Sequence, residues 1–251
     1  MRDAPRDAIA IIFAGGAGTR MHRPGPPKQF VVVGDRPILV HTLQHFQDHA
    51  SVSRIYLVCL EPFISHAREL ARRYRLDKIR KIVPGGSSAQ ASIHLGLESA
   101  LSDGVDRDAI TLIHDGVRPI ISADLISRNI ACARENGSAI TAIPCFETIA
   151  MSLDRAETIH SVTQRDLMYV LQAPQTFRLG QVHKANRRSI EDGLIGSFVD
   201  QAQLMIHYGH PLHVVDGLRG NCKLTTEFDL LQYSLLVESG ALADARGTRV
   251  A

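Results

Sequence analysis

The chain has 251 residues, with 28 Lys plus Arg against 26 Asp plus Glu and a formal net charge of +2 at pH 7. Charge so evenly balanced argues against wrapping nucleic acid or adhering to an anionic membrane, so any polyanion has to be met locally. Hydrophobic residues at 45% and charged residues at 22% are ordinary globular values, and no apolar stretch approaches the ~20 residues that cross a bilayer.

The four cysteines, Cys59, Cys132, Cys145 and Cys222, form no C-x-x-C pair. Neither a disulfide framework nor a zinc knuckle is expected, and a reducing, cytoplasmic setting fits best. The charged start of the chain, 1–6, runs straight into an apolar segment and does not read as a secretion signal.

Residues 8–14 (AIAIIFA) form a continuous apolar run that stops at a glycine cluster, the pattern of a strand buried on both faces. A helix is expected over 38–46, a strand over 54–60, a helix over 64–74 and a strand near 81–83. A helix over 89–101, a strand over 109–114 and a helix over 123–136 follow, the last stopped by Gly137. Beyond it come a strand over 138–144, a hairpin of 148–153 with 158–162, helices over 179–190 and 200–207, a strand over 212–215 and a helix over 227–237.

Strands alternating with helices of this length predict an α/β fold with a doubly wound, mostly parallel sheet and helices on both faces. The 145–172 region breaks the alternation and reads as an inserted β-arm. No linker or internal repeat interrupts 1–251, so a single domain is expected, with a frayed tail after about residue 240. In such a sheet ligands bind at the carboxyl ends of strands. Three strand-end loops therefore matter: 15–30, 85–88 and 115–121.

The first loop reads Ala14-Gly15-Gly16-Ala17-Gly18-Thr19-Arg20-Met21, followed by Pro27-Lys28-Gln29-Phe30. Its glycines let backbone N–H groups turn toward an anion without Cβ atoms in the way. Arg20 and Lys28 add two cations, so the loop is a candidate for polyphosphate binding. It lacks G-x-x-x-x-G-K-[ST], and its G-x-G is followed by Thr19, Arg20 and Met21 where a dinucleotide fold needs a third small residue. The spaced histidines His41, His45 and His49, and the group His207, His210 and His213, have no carboxylate or cysteine at metal-ligand spacing and read as capping or solvated residues. His114, beside Asp115, is the histidine expected near the chemistry.

Strand-AGGxGxRM followed by PKQF resembles the cytidylyltransferases that make CDP-methylerythritol or CDP-ribitol. The likeness continues through Gly85-Gly86-x5-Ser92, His114-Asp115-x-x-Arg118-Pro119, Glu147-Thr148, Arg165-Asp166, Pro174-Gln175 and Asn221-Cys222-Lys223-Leu224-Thr225, nearly the whole chain in order. The resemblance implies a doubly wound sheet whose β-arm is exchanged between the two subunits of a homodimer. It implies that Ala14, Gly15, Gly86, Ser87 and the Ser92 hydroxyl hold the cytosine. Gly16, Gly18 and Thr19 belong to the same CTP-binding loop, and Arg20, Lys28 and Lys223 contact the triphosphate as the catalytic cations. Mg²⁺ is expected on the triphosphate oxygens, with Asp115 placing the metal or the ribose. Arg118, with Asp115 beside it, and Thr148 and Arg165 of the neighbouring subunit's arm are expected to hold the acceptor phosphate.

The chain departs from the pattern at Ala89, where the family usually has Arg, and at Ala173, where its methylerythritol enzymes carry Thr. The second departure, with Arg36-Pro37-Ile38, the valine of HDGVRP and RDLMY, leans toward ribitol 5-phosphate as acceptor over methylerythritol phosphate. Two other readings stay open: a hexose 1-phosphate nucleotidyltransferase using UTP or GTP, and a nucleotide-binding module without turnover.

Overall fold

The computed structural model describes residues 8–15, 25–154 and 157–242. A seven-stranded sheet has the order β11-β7-β10-β6-β1-β4-β5, where β1 is Ala8–Ala14, β4 Val52–Cys59, β5 Ile79–Pro84, β6 Ile110–Asp115, β7 Ser138–Pro144, β10 Tyr169–Arg178 and β11 Val214–Asp216. The short pairs β2 (Val32–Val33) with β3 (Arg36–Pro37) and β8 (Ala150–Met151) with β9 (Ser161–Val162) stand apart from it. β1 runs parallel to both β4 and β6, while β10 is antiparallel to β6 and β7. The helices are α1 (Ile38–Asp48), α2 (Ile64–Arg73), α3 (Ala89–Ser102), α4 (Ala123–Asn136), α5 (Leu179–Glu191), α6 (Gln201–His207) and α7 (Glu227–Glu238).

The apolar run of β1 is explained by what covers it. Ala8, Ala10 and Ile12 share one core with Leu39, Val40 and Leu43 of α1, Leu70 of α2 and Leu125 and Ile130 of α4. Ile9 and Ile11 point the other way, into a core with Ile93 and Leu97 of α3, Val182 of α5 and Leu204 and Met205 of α6. Alternate residues of a strand face opposite sides of the sheet, so a strand covered twice must be apolar throughout. A third cluster joins Leu230 and Tyr233 of α7 to Val33, Ile38, Val117, Ile120 and Leu224.

Caps set several helix starts as the sequence rules expect. Ser88 and Ser122 accept from the backbone of Ala91 and Leu125, and Gly137 ends α4 in the left-handed region at φ 82°. Thr226 and Asp229 form a capping box at the start of α7.

The structure departs from the sequence reading most at β10, a ten-residue strand running through a segment that is only arm and loop in that reading. Pro174 at its centre argues against a central strand, because proline donates no ladder bond. The strand tolerates it through a register shift between Leu171 and Gln175 on the β7 side. There the Pro174 carbonyl accepts a 2.7 Å hydrogen bond from Thr141 Oγ1 instead of a ladder N–H. The hairpin of the arm shrinks to a two-residue ladder of Ala150–Met151 with Ser161–Val162, and the arm's return leg, Tyr169–Leu171, is already β10 paired with β7. The tail expected to fray after residue 240 lies, from 243 on, outside the described residues.

Candidate active site

β1, β4, β5 and β6 run parallel, so Ala14, Cys59, Pro84 and Asp115 all end at one edge of the sheet. From β1 the chain proceeds to β4 and β5 on one side, then returns to place β6 on the other. That reversal of winding opens a crevice between the loops after β1 and β6, where open α/β sheets bind ligands.

Small residues line one side of the crevice. A Cβ on Gly15 would lie 3.1 Å from Ser92 Oγ, and one on Gly85 would lie 3.2 Å from the same oxygen. On Gly86 it would come within 2.6 Å of the Ala91 Cβ, closer than real side chains approach. Glycine is therefore required for these backbones to draw together. Ser92 Oγ accepts from the Gly86 N–H at 3.0 Å and donates to the Ser88 carbonyl at 2.9 Å, fixing the loop over the first turn of α3. Ser87 is exposed at the rim. Of the residues expected beside this cradle, Gly16, Gly18, Thr19 and Arg20 lie outside the described residues.

Lys28 is carried on a one-turn helix, Lys28–Phe30. Gln29 Nε2 donates to the Ala14 carbonyl at 2.8 Å, and the buried Phe30 ring stacks on Phe63 at 5.1 Å, which ties this turn to the end of β1.

The opposite side carries the charge. Asp115, the buried last residue of β6, accepts from Arg118 Nε at 2.8 Å through Oδ2 and from Lys223 Nζ at 2.5 Å through Oδ1. Arg118 also donates to the Asn221 carbonyl at 2.7 Å. The Leu224 N–H donates to the Val117 carbonyl at 2.9 Å, so a segment over 100 residues away in sequence is bound to the loop after β6. Asn221 Nδ2 donates to the Ala173 carbonyl at 2.6 Å, bringing the bulged stretch of β10 to the same place. Burial pushes the Asp115 carboxyl up, but Arg118 and Lys223 outweigh it and hold the group down at about 2. The carboxylate is ionised at any physiological pH. The Lys223 ammonium also lies 5.6 Å from the Phe13 ring centroid.

Histidines act here as struts. Nε2 of His41, His45 and His49 meets the carbonyls of Val33 in β2 (2.9 Å), Pro119 in the loop after β6 (3.2 Å) and Ala123 at the start of α4 (3.2 Å). His207 packs against Phe198 and Tyr208, while His210 and His213 bond Gln181 and Ser138. His114 lies beneath Asp115, donates from Nε2 to the Arg118 carbonyl at 3.1 Å and is fully buried.

The arm residues are not gathered in. Thr148 and Arg165 are exposed, and Arg165 makes a loose 3.9 Å ion pair with Asp166. Among the described residues, neither bonds to Asp115, Arg118 or Lys223. Sequence reasoning gave no role to Gln29 or to the backbone of Asn221; both stood inside quoted motifs, but their work is to fix neighbouring segments.

Burial depresses the His114 imidazole to about 4 from an ordinary 6.5. Between those values the unfolded chain binds a proton that the folded chain refuses, so stability rises with pH through that window. Unfolding free energy measured by urea titration is expected to fall by roughly 2–3 kcal/mol between pH 7 and pH 4, at ~1.4 kcal/mol per pKa unit. His114→Gln should flatten that slope; a variant with the parent's slope assigns it to other groups.

A family model described as 2-C-methyl-D-erythritol 4-phosphate cytidylyltransferase matches residues 8–239. A ribitol-5-phosphate cytidylyltransferase of Vibrio parahaemolyticus is 35% identical over 231 residues, covering 92% of this chain and 96% of that protein. One from Streptococcus agalactiae serotype III is 37% identical, covering 92% and 95%. A 2-C-methyl-D-erythritol 4-phosphate cytidylyltransferase of Syntrophus aciditrophicus is 35% identical over 224 residues, with 89% and 92% covered. The crystal structure of 4-diphosphocytidyl-2C-methyl-D-erythritol synthase from Anaerococcus prevotii superposes with a TM-score of 0.78 at 26% identity, covering 93% of this chain and 96% of that one. Sheet order, the glycine cradle, the charged cluster at the strand ends and this similarity along almost the entire length agree: the chain belongs to the 2-C-methyl-D-erythritol 4-phosphate cytidylyltransferase family.

Proposed function

We propose that this chain transfers a cytidylyl group from CTP to ribitol 5-phosphate, giving CDP-ribitol and pyrophosphate. The observation that carries the reading is the convergence of Asp115 and Arg118, from the end of β6, with Lys223 from a distant segment, opposite the Gly15–Gly85–Ser92 cradle. The cradle suits a flat nucleobase read by backbone groups, and the cations suit phosphates. Ribitol 5-phosphate is favoured over methylerythritol phosphate by the names of relatives at 35–37% identity and by Ala173, which offers no hydroxyl beside Asn221.

In the reaction an oxygen of the acceptor phosphate attacks the α-phosphorus of CTP, and the bond from that phosphorus to the bridging oxygen breaks as pyrophosphate leaves. Two phosphate groups are pressed together, at about 4 kcal/mol per like-charge pair ~4 Å apart with an effective dielectric of about 20. Fixed cations offset this, and no nucleophilic side chain is needed. Lys223 is the mobile member: on this reading its ammonium leaves Asp115 for the α-phosphate, while Arg118, braced by Asp115 and the Asn221 carbonyl, takes the acceptor phosphate with a planar fork. Arg20 and Lys28 take the outer phosphates, and Gly16, Gly18 and Thr19 supply backbone contacts.

The divalent cation expected with CTP is tested by the donor set here. Asp115 offers a single ionised carboxylate, and Oδ1 is released once Lys223 turns to the nucleotide. One carboxylate with the triphosphate oxygens is the usual set for Mg²⁺. When bound, Mg²⁺ would neutralise charge developing on the leaving pyrophosphate.

The arm supports a homodimer with composite sites. Phe146, Met151, Leu153, Ile159, Val162 and Leu167 are all exposed along it, more apolar surface than a solitary hairpin keeps in water. A neighbouring subunit's arm would bring Thr148 and Arg165 to the acceptor. The body from β1 to α7 is read as one domain carrying this arm.

Pyrophosphate release is expected with CTP and ribitol 5-phosphate, weakly or not at all with methylerythritol phosphate, glycerol 3-phosphate, or UTP and GTP in place of CTP. A preference for methylerythritol phosphate would reassign the acceptor, and tight CTP binding without product would make the chain a binding module. Lys223→Ala should lower kcat by roughly 10²–10³ with the fold retained, the usual loss for one transition-state charge contact; an unchanged rate removes Lys223 from the mechanism. Light scattering should give a dimer that Leu167→Glu weakens together with turnover, whereas a fully active monomer would separate the arm from the site.

A further inference from the structure

A second cluster of ligand-type side chains lies on the face of the sheet that α3 and α5 cover. His94 and Glu98 are spaced i, i+4 on α3 and so share one side of the helix. His183 comes from the second turn of α5. Its Nε2 is 2.5 Å from Glu98 Oε1, and His94 Nε2 is 3.8 Å from the same oxygen. The three donor atoms all lie within 4.8 Å of one another. His94 Nδ1 is buried with no hydrogen-bond partner, so that ring is not committed to the protein through its second nitrogen.

We propose that His94, Glu98 and His183 form a metal site, separate from the nucleotide crevice, that takes one transition-metal ion of the zinc class. Two imidazoles and a carboxylate are a three-ligand set that zinc accepts with a fourth position left open, and the nitrogen donors select against Mg²⁺. His183 also lines a cavity of about 930 Å³ shared with Arg107, Gln181 and Lys184. The cavity also carries Arg178, Arg187 and Arg188; of these, Arg187 pairs with Glu191 at 2.8 Å and Arg188 with Asp192 at 3.7 Å, which limits their repulsion of a divalent ion.

Three adjustments are required, all of them small. The two imidazoles lie face to face, 5.7 Å between centroids and 15° from parallel, so His94 must turn about its Cβ–Cγ bond to aim a lone pair at the ion, a soft torsion. Zinc–ligand bonds of about 2.0–2.2 Å place neighbouring donors a little over 3 Å apart. Glu98 and His183 therefore open slightly while His94 closes. Both imidazoles must ligate as neutral rings, so metal binding also displaces the proton that His183 Nε2 shares with Glu98 Oε1.

The test uses the full chain, stripped with chelator and titrated with Zn²⁺, and with Co²⁺ as a spectroscopic probe, in excess Mg²⁺ to occupy any site that prefers oxygen donors. One Zn²⁺ per chain is expected, with visible Co²⁺ absorption of a nitrogen-ligated, low-coordinate ion and a Tm raised by metal. Glu98→Gln, a conservative change at a half-exposed position, and His94→Gln should each weaken binding by at least the about 10- to 100-fold that an outer-shell change costs. Each metal-free variant should keep the parent's circular dichroism. Absence of saturable Zn²⁺ binding overturns the proposal, as does binding that both variants leave unaltered.

Discussion

The site depends on one buried carboxylate shared by two cations. Asp115 ends β6, where burial alone would protonate it, and it stays ionised because Arg118 and Lys223 occupy its two oxygens. Of the two partners Arg118 is the more buried one, and removing one member of a buried pair typically costs about 3–5 kcal/mol, because a charge is left uncompensated. The arrangement therefore locks the end of β6 to the distant segment around Lys223 as it stores positive charge. Without Asp115, Arg118 and Lys223 would repel each other across a crevice with no substrate; with it, both are held near where anions arrive.

This junction also explains the fold's less regular parts. The loop after β6 has no regular backbone pairing of its own and is fixed by outside donors: His45 Nε2, the Leu224 N–H and the Thr42 hydroxyl, which donates to the Gly116 carbonyl at 3.1 Å. Gly116 has no space for a side chain, since a Cβ would lie 2.9 Å from the Ala14 Cβ and 3.0 Å from a Leu39 methyl. The loops after β1 and β6 therefore approach closely at the point where the winding of the sheet reverses. α7 completes the edge by packing Leu230 and Tyr233 under the segment that delivers Lys223.

Most of the fold was legible because its signals are local. The doubly covered strand announced itself as an apolar run, and the strand–helix alternation fixed which loops share an edge, so Asp115 and Arg118 could be placed from pattern alone. Lys223 could not, since only a long-range tie between Leu224 and Val117 brings it there; resemblance, rather than pattern, supplied it. β10 was hidden by Pro174, which the strand accommodates by a register shift against β7 that the sequence does not show. The His94–Glu98–His183 cluster was invisible for a similar reason. Two of its members look like ordinary residues of a packed helix, and the third is 85 positions away from Glu98.

Some polar atoms are left unpaired at the charged end of the sheet. His114 Nδ1, Gln172 Oε1 and Asn221 Oδ1 are buried without partners, and each belongs to a residue that otherwise braces the charged end of the sheet. Gln172 Nε2 donates to the Leu218 carbonyl and Asn221 Nδ2 to the Ala173 carbonyl. Each orphaned atom costs about 1–3 kcal/mol, a penalty that apolar residues of similar shape would avoid. The amides hold the lysine-bearing segment against β10 in one geometry, which leucines in their place could not specify because apolar contact is non-directional. Stability is given up where the positions of Arg118 and Lys223 must be fixed.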